Sequence, residues 1–343
     1  MSNQRLELAQ RGVYLGIETS CDDTAVAVLV DGVLRANVVR SQAALHAPFG
    51  GVVPELAARA HDAAMVDVLS EALGAAEVEA RDVEAICVTR GPGLPGSLIV
   101  GVATALGLGA ALGVRVVGVD HMEAHLYAAT LVGPIGLPAL SLLVSGGHSE
   151  LVAIDAPFAY RLLGRTRDDA AGEAFDKVAR VLGLGFPGGP AIEAAARAGD
   201  PRAVRFARAL LREGYELSFS GIKTEVARFV ERHPEARVED VAAGFQEAIV
   251  DVLVAKVARA LEEQRFRSVV LGGGVAANSL LRERIARLAA ERGVVAVIPP
   301  KPLCADNAAM VVAAGAARLA AGAVPDGDLD IEPTASLVGG ARD

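Results

Sequence analysis

The sequence predicts an α/β protein built from two lobes that repeat the same strand order. Short apolar runs alternate with small polar turns and with apolar stretches of helical length. The segments LGIETSCDDTAVAVL and LLVSGGHSELVAI, one in each half, both predict a strand, a polar turn and a second strand. The 343 residues suffice for two domains of ordinary size. With 52% hydrophobic but only 4% aromatic residues, we expect a core of mainly Ala, Val and Leu.

The first half predicts three neighbouring strands, a helix, and then two more strands that alternate with helices. Asp31 and Gly32 form a hairpin turn between the second and third strands, and Pro54 suits the first turn of a helix. The uncharged stretch 91–114 approaches membrane-spanning length, but its prolines and glycines favour a loop that leads into a buried helix. The predicted strands cover residues 13–18, 25–30, 33–39, 85–89 and 116–119, and a helix with two histidines follows the last one.

The second half repeats this opening. Strands are predicted at residues 139–144, 148–154, 158–164, 268–271 and 294–298. A helix is predicted at 172–182, and further helices follow it as far as about residue 263. Another helix is predicted after the GGGVAANS segment, and the last one at 307–321. This duplicated order resembles the actin/sugar-kinase/Hsp70 (ribonuclease H-like) fold, which implies a nucleotide cleft between the lobes. We expect an N-terminal lobe of residues 1–133, completed by about 308–343, and a C-terminal lobe of residues 134–307.

Charge and cysteine content narrow the class of protein. A formal net charge of −9 argues against a free-standing nucleic-acid binder, because phosphate contacts need surplus Lys and Arg. Two arginine groups, 161–167 and 202–212, are interpreted as solvated helix faces. Three widely spaced cysteines fit a reducing cytoplasm, and the N-terminus shows no secretory signal, so a cytoplasmic location is expected.

His121 and His125 predict a metal site. Residues four apart share one helix face, so both imidazoles can bind one ion, and Asp306 offers a third ligand. Three protein ligands leave positions open for water or substrate, as in catalytic metal sites. Glu123 lies about 200° around the helix from His121, which excludes the role of general base that a glutamate has in HExxH metalloproteases.

Glycine-rich turns predict nucleotide binding. Ser145, Gly146 and Gly147 form a turn whose backbone N–H groups can approach an anion. GGGVAAN, residues 272–278, follows a strand and opens a helix, so Asn278 is placed to bind adenine or ribose. In DDAAGEAFDK, residues 168–177, the first two aspartates are interpreted as stabilisers of the helix start, whereas Asp176 suits a ribose hydroxyl. Gly189 of the PGGP segment is placed against a ligand.

These motifs closely resemble those of the TsaD family of tRNA N6-adenosine threonylcarbamoyltransferases, formerly labelled glycoproteases. The resemblance covers nearly the whole chain, in family order: GIETSCDDT, HAPFGGVVPELAARAH, GPGLPGSL, HMEAH, LLVSGGHSEL, DDAAGEAFDK, FSGIKT, GGGVAANS and LCADNA. It implies that His121, His125 and Asp306 bind one divalent metal ion, Fe²⁺ by preference and Zn²⁺ as the alternative. It also implies a substrate site made of Leu143, Val144, Ser145, Gly146, Gly147, Asp176, Gly189 and Asn278. Glu193 stands where some members carry an aspartate at the nucleotide.

The resemblance also implies the reaction and its partners. A threonylcarbamoyl group passes from threonylcarbamoyl-AMP to N6 of adenosine 37 in tRNAs that read ANN codons. The expected partners are tRNA, a TsaB-like paralogue, a TsaE-like ATPase and a separate synthase that supplies the adenylate. Asp22 or Asp23 is the expected base. Two alternative functions are a small-molecule kinase and a non-catalytic scaffold. A kinase would hold Mg²⁺ through carboxylates, and a scaffold would not need the three metal ligands His121, His125 and Asp306.

Overall fold

The computed structural model describes residues 5–8, 11–324 and 329–338 of the chain. Twelve strands lie within these ranges: β1 (Arg5–Leu6), β2 (Val13–Glu18), β3 (Asp23–Val30), β4 (Val33–Ser41), β5 (Ala85–Gly91), β6 (Arg115–Asp120), β7 (Ile135–Gly136), β8 (Ala139–Val144), β9 (Ser149–Ala156), β10 (Ala159–Arg165), β11 (Ser268–Gly272) and β12 (Val295–Val297). The helices are α1 (Ala43–His46), α2 (Pro54–Ala76), α3 (Pro95–Leu112), α4 (His121–Tyr127), α5 (Ala171–Val181), α6 (Gly188–Ala196), α7 (Ser220–Arg232), α8 (Val238–Glu263), α9 (Ser279–Glu291) and α10 (Ala308–Ala320).

The described chain forms two compact units. The first unit contains the described residues of Leu6–Pro134 together with those from Asp306 onward, and the second contains Arg5 and Ile135–Ala305. In the first unit the strand order is β4-β3-β2-β5-β6, and in the second it is β10-β9-β8-β11-β12. In both sheets the first three strands are antiparallel and the last two are parallel. The two sheets therefore repeat one topology, which confirms the predicted duplicated α/β fold.

The cores match the composition. In the first unit, strand residues such as Leu15, Ile17 and Val26 pack against Met65 of α2 and Val102 of α3. The second unit has a larger core that also includes four buried phenylalanines, Phe175, Phe206, Phe219 and Phe245. Burial of aliphatic surface on a sheet stabilises such layers by about 25 cal/mol per Å². The expectation of a core made mainly of Ala, Val and Leu is confirmed.

Helix α3 is the apolar segment that approaches membrane-spanning length. It is the one described helix that is long and apolar enough to cross a membrane, and a third of it is buried in the protein. Its buried residues, among them Leu98, Val102 and Ala105, recur at helical spacing, and Val102 and Ala105 belong to the core of the first unit. The prediction of a loop leading into a helix is confirmed, and the helix is buried along one face only.

The arginine groups do not lie on helices. Arg161 and Arg165 belong to strand β10, and the segment 201–217 is irregular, so the interpretation as helix faces is wrong. An Asp200 side-chain oxygen accepts a hydrogen bond from the Arg202 backbone, which favours a turn over a helix. The buried Lys256 ammonium donates hydrogen bonds to the carbonyls of Leu210, Glu213 and Gly214. These carbonyls therefore do not accept the backbone N–H groups that an α-helix would bring to them.

Asp168 also differs from its predicted role. It was expected to stabilise the start of the helix that follows it, but α5 begins at Ala171. Its carboxylate instead accepts hydrogen bonds from the Phe219 N–H at 2.7 Å and the Ser220 N–H at 3.2 Å, at the start of α7. A carboxylate stabilises whichever N-terminal amides it reaches, and tertiary contact decides that choice. Asp169 forms an ion pair with Lys177 on α5, at 2.8 Å.

Helix α10 approaches the first sheet so closely that one position requires glycine. A Cβ atom added to Gly315 would lie 2.3 Å from the Cys87 sulfur and 2.6 Å from its Cβ. We expect Gly315→Ala to lower the free energy of unfolding by about 1–3 kcal/mol through overpacking. Gly107 on α3 has no neighbour within 4 Å of an added Cβ, so Gly107→Ala is the matched control and is expected to be neutral or slightly stabilising. Urea denaturation distinguishes the two, and equal stabilities would contradict the proposed close packing.

Candidate metal centre and nucleotide pocket

Helix α4 brings the two predicted histidine ligands together. The Asp120 carboxylate accepts the N–H groups of Met122 at 2.8 Å and Glu123 at 3.0 Å, so the helix starts directly at His121. The imidazole centroids of His121 and His125 are 4.7 Å apart. The Nε2 atoms of His121 and His125 lie 3.5 Å and 3.3 Å from Asp306 Oδ1. The ligand atoms of the three residues all lie within 4.8 Å of one another.

This geometry fits a metal ion. Bonds of about 2.0–2.2 Å from a tetrahedral ion would place its ligand atoms roughly 3.3–3.6 Å apart, which matches both distances to Asp306. His125 is fully buried, and neither ring nitrogen has a hydrogen-bond partner among the described residues. A buried polar atom without a partner is unfavourable unless something binds it. The donor set of two imidazoles and one carboxylate suits Fe²⁺ or Zn²⁺ and leaves positions open.

Glu18 is a functional residue that the motif analysis missed. It is fully buried at the end of β2, where one carboxylate oxygen accepts hydrogen bonds from the Thr89 hydroxyl at 2.7 Å and from His121 Nδ1 at 3.1 Å. The other oxygen accepts the Ser20 N–H at 2.5 Å. A carboxylate on one ring nitrogen fixes the tautomer and leaves the other nitrogen free to bind metal. A glutamate that closes an apolar strand was the available signal, because acidic residues are seldom fully buried without partners.

Charge in this cluster shifts the histidine pKa values in opposite directions. Burial favours neutral His121, but the nearby Asp306 and Glu18 carboxylates outweigh it and raise the pKa of His121 to about 9. Burial lowers the pKa of His125. For Glu18, burial is outweighed by His121, so the pKa of this carboxyl is lowered and the group is charged. Two carboxylates around two imidazoles therefore create a site that favours a positive charge, carried by protons or by a metal.

The turn before β3 holds the two predicted base residues. Asp23 begins β3, and one of its oxygens is buried without a hydrogen-bond partner among the described residues. Burial raises the pKa of Asp23 to about 7, and the charges of Asp306 and Asp22 add to this effect. A carboxyl group with a pKa near neutrality can both accept and release a proton at physiological pH. Asp22 is half-buried, and its carbonyl accepts the Gln42 N–H at 2.9 Å.

Two further histidines from the family motifs have structural contacts, His61 with this turn and His46 with the chain around Gln42 and Val53. His61 on α2 bonds the Thr24 hydroxyl at 2.8 Å and the Cys21 carbonyl at 3.0 Å, and burial lowers its pKa. His46 is buried and contacts the Gln42 amide oxygen at 3.1 Å and the Val53 N–H at 3.3 Å. Both nitrogens of each imidazole therefore have a hydrogen-bond partner within the protein, which indicates a structural role for the two rings. Sequence reasoning had assigned them no role.

In the second unit, the predicted phosphate turn joins β8 to β9. Ser145 closes it, because its N–H donates to the His148 carbonyl at 2.8 Å and its hydroxyl accepts the His148 N–H at 3.1 Å. Gly146 and Gly147 are exposed, with open space where a side chain would stand. Leu143 and Val144 are fully buried at the end of β8, backbone included, so they support the turn and expose no surface of their own.

A cavity of about 240 Å³ opens in the same unit. Its lining includes predicted residues from three separate motifs: Gly189, Glu193 and Asn278. The other lining residues are Phe175, Pro190, Arg197, Gly274, Val275, Ala277 and Lys301. Glu193 Oε1 accepts hydrogen bonds from the Ser279 hydroxyl at 2.7 Å, Arg197 at 3.2 Å and Lys301 at 3.3 Å. These donors outweigh the effect of burial and lower the pKa of Glu193, so the cavity holds a charged, well-oriented carboxylate.

Asp176 and Asn278 already have internal partners. Asp176 Oδ1 accepts the Gly188 N–H at 2.7 Å, which fixes the start of α6 next to α5. Asn278 accepts the Leu281 N–H at 3.0 Å as the N-cap of α9 and donates to the Gln246 side chain at 2.8 Å. Asn278 and Gly189 line the cavity, whereas Asp176 does not belong to its lining.

Solved structures place the chain in a fold class. HypF of T. kodakarensis aligns with a TM-score of 0.64 at 14% identity, over 94% of this chain and 50% of that one. Component A of the (R)-2-hydroxyglutaryl-CoA dehydratase of Acidaminococcus fermentans aligns with a TM-score of 0.56 at 16% identity, over 90% and 99% of the two chains. At these identities the likeness concerns the fold alone. The protein therefore has the actin/ATPase-like fold, with a histidine-carboxylate cluster in one unit and a glycine-lined cavity in the other.

Sequence comparison then gives the family. The family model of TsaD, tRNA N6-adenosine threonylcarbamoyltransferase, matches residues 33–313. Proteins of that name from Moorella thermoacetica and Salinibacter ruber are 51% and 49% identical; the alignments cover 89% and 95% of this chain and 91% and 100% of theirs. The chain belongs to the TsaD family and is a transferase that acts on tRNA.

Proposed function

We propose that the transferred group comes from threonylcarbamoyl-AMP and reaches N6 of adenosine 37 in tRNAs that read ANN codons, with release of AMP. The observation that carries the proposal is the triad of the buried His121 and His125 with the half-buried Asp306, whose ligand atoms lie within 4.8 Å of one another in a member of this transferase family. We assign to it one divalent ion, Fe²⁺ by preference and Zn²⁺ as the alternative.

At the carbamoyl carbon the reaction forms a bond to N6 and breaks the bond to AMP, and N6 loses a proton. N6 attacks the carbamoyl carbon, the bond from that carbon to the phosphate oxygen breaks, and AMP leaves with the electron pair. A bound metal would act as a Lewis acid that withdraws charge from the acyl oxygen. Glu18 holds His121 in the tautomer that the site needs, through its 3.1 Å contact to Nδ1. Asp23, with a pKa of about 7, accepts the proton that N6 loses, and Asp22 is the alternative base.

We assign the adenylate to the second unit. The exposed backbone of Gly146 and Gly147 offers N–H groups to the phosphate. The Glu193 carboxylate in the cavity suits a ribose hydroxyl donor, since it is charged and oriented. Gly189 and Asn278 shape the cavity, and Asp176 holds the start of α6 beside it. Leu143, Val144 and Ser145 contribute backbone positions at the end of β8.

The remaining assignments concern organisation and partners. We propose that residues 1–133, completed by about 308–343, and residues 134–307 act as two functional lobes. A TsaB-like paralogue, a TsaE-like ATPase and a synthase that supplies the adenylate are the proposed partners, in the cytoplasm. The net charge of −9 supports sharing the tRNA contact with other subunits, since the chain has no excess of cations.

The test supplies the purified chain with threonylcarbamoyl-AMP, the partner proteins and a transcript of an ANN-reading tRNA. Nucleoside mass spectrometry is expected to show modified adenosine and AMP in equal amounts, and none in the same transcript with guanosine at position 37. The chain without partners is expected to be a poor multiple-turnover catalyst. No modification, together with ATP-dependent phosphorylation of a small hydroxyl compound, would replace the proposal with the kinase alternative.

A further inference from the structure

Glu123 is a buried acid on the helix that carries the metal-ligand candidates, and the reaction as proposed does not use it. It is fully buried on α4, two positions after His121 and two before His125. At about 100° per residue, its side chain points roughly 200° away from both imidazoles. Acidic side chains are almost never fully buried without a cationic partner.

Its partner is Arg318, near the end of α10. Arg318 Nε donates to Glu123 Oε2 at 2.5 Å, and Arg318 Nη2 donates to Glu123 Oε1 at 2.9 Å. Arg318 Nη1 also donates to the Ala323 carbonyl at 3.0 Å, so the guanidinium is fixed on both sides. Two parallel N–H···O bonds define the orientation of both side chains, which a single contact cannot do.

The two helices joined by this pair carry all three ligand candidates. Helix α4 holds His121 and His125, and Asp306 lies just before α10, where the Asn307 side chain accepts the Met310 N–H at 3.2 Å. Since α4 has only seven residues, tertiary contacts must fix its rotation. A rotation of roughly 20° would move an atom about 6 Å from the helix axis by about 2 Å, a distance as long as a metal-ligand bond.

We propose that the Glu123–Arg318 ion pair is a positioning brace, which sets the rotation of α4 against α10 and thereby the separation of His121 and His125 from Asp306. Both residues act through the ligands and touch neither substrate nor metal. The inference rests on the proposed metal site and extends it to the C-terminal part of α10.

The test measures Zn²⁺ affinity by competition with a chromogenic chelator, on the full-length chain without tRNA or donor. The variants are Glu123→Gln, Arg318→Met and the double variant Glu123→Met with Arg318→Met. We expect each to weaken Zn²⁺ binding about 10–100-fold, the usual effect of losing a group that orients metal ligands. Arg90→Met is the matched control, because it removes an Arg–Glu pair of the same unit, 3.0 Å from Glu332, that joins neither α4 nor α10.

The double variant separates positioning from stability. Replacing both members of an ion pair that is removed from water by apolar side chains often leaves stability unchanged, whereas removing the partner of a buried charge is destabilising. Glu123 is fully buried and Arg318 is 21% exposed. A double variant that unfolds at the wild-type temperature but still binds Zn²⁺ at least 10-fold more weakly supports the brace. If the double variant or a folded Glu123→Gln variant binds Zn²⁺ with wild-type affinity, the positioning role of the ion pair is wrong, while the metal assignment stands. A wild-type chain that does not bind Zn²⁺ overturns the metal assignment together with the brace.

Discussion

Replacing His125 with alanine is expected to abolish stoichiometric metal binding and to lower the rate of tRNA modification at least 100-fold. The imidazole is fully buried, both of its nitrogens lack a hydrogen-bond partner among the described residues, and Nε2 lies 3.3 Å from Asp306 Oδ1. The Asp306 carboxylate is therefore the polar group beside this ring, and a metal ion between the two would satisfy both. Loss of one of three ligands leaves two, too few to retain a divalent ion that chelators compete for.

The control is His61→Ala, on a histidine of the same unit whose ring nitrogens bond Thr24 and Cys21. This variant removes two structural hydrogen bonds and is expected to lower the thermal midpoint while metal content persists. Elemental analysis of both purified variants and initial rates of adenosine modification with partner proteins complete the measurement. If His125→Ala retains metal and rate, the triad is not the metal centre.

Periodicity predicted the elements of this fold well, because each strand is a short apolar run with a turn signal at its end. The bounds of β2 and β8 were predicted to the residue, and those of the other predicted strands within about two, whereas the two-residue strands β1 and β7 were not predicted. Both are central strands that end where the apolar run stops, at Glu18 in β2 and just before Ser145 in β8. The duplicated topology followed from the repeated opening of the two halves, which the sheet orders match.

Local patterns failed where a distant side chain decides the backbone. Arginine spacing at 202–212 suggested a helix face, but the Lys256 ammonium, from another part of the chain, binds three carbonyls between residues 210 and 214, at the end of that segment. Asp168 was assigned to the helix nearest in sequence and instead stabilises α7, some fifty residues away. Such contacts depend on tertiary packing and have no periodic signal.

The candidate site shows the same division. Spacing on one helix face indicated His121 and His125, and the separate LCADNA segment offered Asp306. Glu18 and Arg318 instead contact α4 from distant parts of the chain. Residues that orient ligands often lie far away in sequence, and single-sequence reasoning finds them only as buried charges in apolar segments. Glu18 carried that signal, and Arg318 ends an apolar helix where a basic residue is ordinary.

Replacing Asp23 with asparagine is expected to stabilise the metal-free protein above neutral pH and at the same time to reduce catalysis. Burial raises the pKa of Asp23 to about 7, whereas an unfolded chain ionises this group near pH 4. Between pH 4 and 7 the unfolded chain loses the proton and the folded chain keeps it, so stability falls as pH rises, and above pH 7 the loss is complete. Asparagine has no proton to lose and nearly the same shape.

The stability of wild type and Asp23→Asn is therefore expected to be similar near pH 4 and to diverge as pH rises, with the variant more stable by on the order of 1 kcal/mol at pH 8. Urea denaturation at a series of pH values, with chelator present, measures this difference. The rate of tRNA modification with metal restored is expected to fall at least 100-fold if Asp23 accepts the N6 proton. A variant that is more stable at pH 8 and keeps the wild-type rate would show that the Asp23 charge destabilises the fold without taking part in catalysis. Asp22 would then be the remaining candidate for the base. Parallel stability curves would show instead that the folded chain ionises Asp23 as readily as the unfolded one.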